Sequence, residues 1–147
     1  MEIDVRATAA GAPSSARVKR LLTRAARAAR ARASGVSVLF CADGRMRSLN
    51  RRWRRRDRST DVLAFPAGGA GNGFLGDIVI SVPYAAREAR RRGEPSSREI
   101  DRLLLHGLLH LMGYDHETDG GQMEAIERRL RRRLSIADPT SKNGRSA

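Results

Sequence analysis

Glu2 to Arg6 alternates, with Ile3 and Val5 on one side and charged residues on the other, the period of a strand with one buried face. The period then changes. Val18, Leu21, Leu22, Ala25 and Ala29 fall on one stripe of a helix whose opposite face carries Arg17, Arg20, Arg24, Arg27 and Arg30. Ser14 or Ser15 is placed to cap it, and Gly35 ends the segment. The mostly apolar run Val36 to Cys41 reads as a buried strand, after which Asp43 is placed to cap a helix with Met46, Leu49, Asn50 and Trp53 at helical spacing. A basic run, Arg51 to Arg58, leads into a strand over Thr60 to Phe65 that Pro66 stops. Residues 67–73, Ala-Gly-Gly-Ala-Gly-Asn-Gly, form a flexible loop; they precede a strand instead of following one, which excludes a phosphate-binding loop.

Phe74 to Ser81 is another strand, and Ser81-Val82-Pro83 opens a helix with proline in its first turn that closes at Gly93. Ser96-Ser97-Arg98-Glu99 has the form of a capping box, and Gly113 is placed to end the helix it opens. Between them Ile100, Leu103, Leu104, Leu105, Leu108, Leu109, Leu111 and Met112 leave almost no polar face, so this helix is buried. A last amphipathic helix carries Met123, Ile126, Leu130 and Leu134, and from Asp138 the chain reads as a disordered polar tail. The pattern therefore predicts one α+β domain over residues 1–137, a small mixed sheet of about four strands packed by about five helices, and a tail over 138–147.

Composition narrows the function classes. A chain of 147 residues is long enough for one core. No apolar run approaches the roughly 20 residues that cross a bilayer, so no membrane partner is expected. The start, with Glu2 and Asp4, lacks the basic and apolar regions of a secretory signal, and the single Cys41 allows no internal disulfide or paired-cysteine metal knuckle. A reducing, cytoplasmic location is the expectation, with Cys41 a small buried hydrophobe. The formal charge of +13 predicts attraction to a polyanion such as RNA, although an arginine- and alanine-rich bias is also what a GC-rich genome produces. With aromatics at 4%, stacking on bases is not expected and contact should be mainly with phosphates.

All three histidines fall within His106-Gly-Leu-Leu-His110-Leu-Met-Gly-Tyr-Asp-His116. On a helix, positions i and i+4 project to one side, so His106 and His110 can share a metal, and Gly113 lets the chain turn back to bring His116 to a third corner. Three nitrogen ligands without a fourth describe a catalytic zinc site, one ion per chain, at the end of the buried helix. Two unpartnered imidazoles would be costly on so apolar a helix. The spacing equals that of the metzincin proteases, but Gly107 stands where those enzymes need a glutamate base. Asp115 and Glu117 flank His116, Asp115 being as plausible a partner orienting a histidine as a base.

The same eleven residues resemble the H-G-x-L-H-L-x-G-Y-D-H motif of the YbeY family of bacterial endoribonucleases, Leu108 and Met112 taking the variable positions. Leu49-Asn50-Arg-Arg-Trp53-Arg54-Arg-Arg-Asp57-Arg-Ser-Thr60-Asp61-Val62-Leu63-Ala64-Phe65-Pro66 is similar to a second block of that family, with Ala64 where serine is usual. Leu75-Gly76-Asp77-Ile78-Val79-Ile80-Ser81 is similar to a third. The resemblance implies an α+β domain, zinc on the three histidines, and endonucleolytic cleavage of RNA. It also implies a role in 16S rRNA 3′-end maturation and ribosome quality control, with the small subunit and its proteins as partners. By position Arg54 corresponds to the family's functional arginine, so Arg54 and His110 are the expected catalytic residues. Asp61 and Asp77 read as strand-end caps or local ion pairs. A ribosome-assembly factor with zinc supporting the fold, or a divergent metalloprotease, would be the competing functions.

Overall fold

The computed structural model describes residues 1–68, 73–115 and 117–136. Its elements are β1 (Glu2–Ala7), α1 (Ser15–Ala28), β2 (Gly35–Cys41), α2 (Asp43–Arg54), β3 (Val62–Pro66), β4 (Phe74–Ser81), α3 (Val82–Arg92), α4 (Ser96–Leu111) and α5 (Gln122–Arg133). The strands form one sheet in the order β1-β2-β4-β3, with β1, β2 and β4 parallel and β3 antiparallel on the edge. The expected single α+β domain with a mixed sheet is the architecture found.

The period of two along the strands separates two cores. Val36, Val38, Phe40, Ile78 and Ile80 face the large core, against the leucines of α4 and the apolar stripes of α1 and α5. Cys41, Leu63 and Val79 face the other way, with Met46 of α2. Leu104, Leu105, Leu108 and Leu109 are all within 1% of full burial, and each such side chain contributes about 1.5–3 kcal/mol of transfer free energy.

Several boundary expectations are corrected. Ser14, one of the two candidate serines, does cap α1 by accepting from Arg17 N, but the helix ends at Ala29 and left-handed Arg30, so Gly35 instead begins β2. Asp43 lies inside α2 and makes no cap bond; its carboxylate accepts from Ser59, Ser81 and Arg87. The capping box is not formed. Pro95 precedes α4 without a side-chain cap, and Glu99 is drawn away by Arg92 and Arg102, ionic donors that outcompete a backbone N–H. Thr60 and Asp61 precede β3, where Asp61 accepts from Val62 N. The loop over 67–73 falls partly, and the tail over 138–147 wholly, outside the described residues.

Candidate metal and phosphate site

Between Arg102 and Leu111 every residue of α4 is buried except His106 and His110. Beyond Arg102 the helix is apolar all round, and its one window is the histidine pair. The two rings lie one turn apart with centroids 4.8 Å from each other. The helix then stops sharply. Gly113, at φ 103°, donates to His110 O while Tyr114 N donates to Leu109 O, the paired bonds of a Schellman end that a left-handed glycine allows. This reverses the chain directly after the second histidine. His116, the expected third ligand, lies outside the described residues. Among the described residues no group of three His, Cys, Asp or Glu side chains is gathered for a metal.

His106 has a partner that the sequence reading missed. Its Nδ1 lies 2.5 Å from Glu127 Oε1 on α5, and Glu127 Oε2 in turn accepts from Arg131 at 3.1 Å. An ionised carboxylate can only accept, so with Nδ1 as its donor a neutral ring would keep its lone pair on Nε2, the tautomer suited to a metal. Asp115, which the sequence leaves open as a base or as a partner orienting a histidine, accepts from Glu117 N in its own turn.

Arg54 comes to the same place from the other side of the sheet. It ends α2, and Asn50, buried one turn earlier, donates to Arg58 O and so pins the following basic loop back onto the helix. Arg54 then reaches around the edge of β3, where its Nη2 donates to Ala64 O at 2.7 Å and its guanidinium lies 5.5 Å from the Phe65 ring centre. A cavity of about 440 Å³ is lined by Arg54, His106, Gly107, His110, Tyr114 and Asp115 among others. The described members of the expected site, Arg54, His106 and His110, thus share one cavity although two helices and opposite faces of the sheet supply them.

Gly107 has a reason of its own. A Cβ there would stand 2.8 Å from Ile78 Cγ2 on β4, so α4 lies directly against the sheet at this residue. A glutamate would start into the sheet, so the protease base is absent for a packing reason.

The model of the family described as endoribonuclease YbeY matches residues 5–135. The chain belongs to the YbeY family. Endoribonuclease YbeY of Anaeromyxobacter dehalogenans is 44% identical over 138 residues, which cover 83% of this chain and 71% of that protein. Endoribonuclease YbeY of Koribacter versatilis is 45% identical over 130 residues, covering 86% and 84%. The solution structure of TM1509 from Thermotoga maritima matches in fold with a TM-score of 0.66 at 24% identity, over 98% of this chain and 99% of that one. No helix among the described residues is long and apolar enough to cross a membrane.

Proposed function

We propose that the chain is a zinc-dependent endoribonuclease that hydrolyses single-stranded rRNA in 16S 3′-end maturation and ribosome quality control. Membership of a family named for endoribonuclease activity supports the reaction class. The observation that carries the site assignment is that His106, His110 and Arg54 line one cavity. An imidazole pair one helical turn apart beside a guanidinium suits a metal next to a phosphate better than it suits a peptide.

The donor set fits zinc: two imidazoles a turn apart, one with its tautomer set by Glu127, and His116 as the proposed third ligand. When bound, zinc supplies Lewis acidity, polarising a phosphoryl oxygen and making water a stronger nucleophile near neutral pH. The chain's own residues do the rest. Glu127 holds the His106 ring. Arg54, anchored by Ala64 O and resting on Phe65, keeps further N–H donors to bind a phosphate oxygen and stabilise charge developing on it. Small-subunit proteins are the expected protein partners and the cytoplasm the expected location.

Purified protein should carry about one zinc per chain by elemental analysis, and His110→Ala should lose it. With a 16S precursor as substrate, His110→Ala should abolish cleavage and Arg54→Ala should reduce it roughly 10²- to 10³-fold. Equal cleavage by all three proteins would sink the assignment in favour of an assembly factor.

A further inference from the structure

Composition argues against base stacking, yet the chain's single tryptophan, Trp53, is 58% exposed on the last turn of α2. Its helical spacing with Met46 and Asn50 suggests a place on the buried stripe, and it is not there. A lone exposed aromatic needs no explanation. This one has unusual neighbours. The Arg52 guanidinium lies 5.2 Å from the Trp53 ring centre, and Trp53 meets Phe65 edge-on at 6.4 Å between centroids. Phe65 in turn carries Arg54 at 5.5 Å, so cation, indole, phenyl and cation form a row.

That row borders a second cavity, about 850 Å³, on the α2 side of the sheet, whose walls include Leu39, Leu49, Trp53, Phe65 and Arg45. Arg54 lines both cavities, because it wraps the edge strand that separates them. A polynucleotide with one phosphate at Arg54 therefore leaves the histidine cavity directly beside Trp53. The far end of the second cavity, at β1, carries an Arg6–Asp4 pair at 3.3 Å, while Asp77 stands opposite Phe65 on the β3–β4 ladder.

We propose that Trp53 is a stacking subsite for a base of single-stranded RNA next to the phosphate held at Arg54. The proposal rests on the endoribonuclease reading for the identity of the ligand. Charge favours RNA as the occupant, since the ring lies within the basic run Arg51 to Arg58. Strandedness follows from chemistry: inside a duplex the stacked neighbours cover both faces of every base, so an internal base can offer its face to an indole only from a single strand.

Because Trp53 is the chain's single indole, its fluorescence reports on the subsite alone. The probes are an uncleavable 2′-O-methyl uridine hexamer, an abasic hexamer with the same backbone, and a blunt RNA duplex. The uridine hexamer should quench emission saturably, and the abasic hexamer and the duplex should not. Trp53→Ala should weaken hexamer binding about 5- to 150-fold, while Trp53→Phe keeps most of it. On a cleavable strand Trp53→Ala should raise KM with kcat nearly unchanged. Equal quenching by the abasic hexamer, or wild-type affinity in Trp53→Ala, overturns the subsite. So does a Trp53→Ala protein that binds RNA normally but loses a small-subunit protein, which would make this a protein-docking face. His110→Ala should retain the quench, so lost cleavage with intact quenching tests the nuclease reading separately.

Discussion

A carboxylate as buried as Glu127 has to be paired, and its two oxygens are divided between His106 and Arg131. Glu127→Gln keeps the size and an accepting oxygen but loses the charge that favours the Nδ1–H tautomer. Zinc affinity should fall about 10- to 100-fold in a chelator competition, with unchanged circular dichroism. Unaltered affinity would mean that the ring is oriented by something else. Glu127 carried a signal in the sequence: it is an acid four residues after Met123 and three before Leu130, on the stripe that α5 buries. The histidine pair was legible for the complementary reason, as two polar residues on a helix with no other polar face between Arg102 and Leu111. What could not be read was which acid meets which histidine, because Asp115 is near in sequence and Glu127 is near only after α5 docks.

Element boundaries were less legible than the elements themselves. Strand and helix periods placed the four strands and five helices found among the described residues, but side chains at their ends had other uses. Asp43 is the clearest case. Instead of capping α2 it ties Ser59 before β3, Ser81 at the end of β4 and Arg87 on α3 into one knot. The Arg87 hydrogen bond, then the bonds from Ser59 and Ser81, outweigh partial burial and hold its carboxyl down at about 2, below an ordinary 3.8. A carboxylate depressed in the folded state contributes stability that is present above its unfolded pKa and is lost as pH falls through the folded value. Denaturant midpoints of the wild type should therefore drop between about pH 4 and pH 2 by more than those of Asp43→Asn. Parallel curves for the two proteins would show that the knot adds no charge-dependent stability.

At the scale of the molecule, the formal charge of +13 predicts binding to RNA that weakens steeply with salt. Each phosphate neutralised on a single strand contributes about −0.7 to the slope of log affinity against log salt, so three contacts imply more than about a ten-fold loss between roughly 50 and 200 mM. A shallow slope in a filter-binding or anisotropy titration would leave the arginine-rich surface as genomic bias alone. The fold class was legible from alternating and helical periods, whereas the meeting of Arg54 with the histidines was implied only by the family resemblance. It depends on β3 being the antiparallel edge strand, a matter of topology that periodicity does not encode.

The same bond has a second consequence. Ala64 O lies on the outer rim of the sheet, where bare backbone acceptors invite a strand from another molecule, and Pro66 beside it has no N–H to offer. Arg54 thus guards an aggregation-prone border while serving the cavity, so an inactive Arg54→Ala protein must be checked for self-association before its loss is assigned to chemistry.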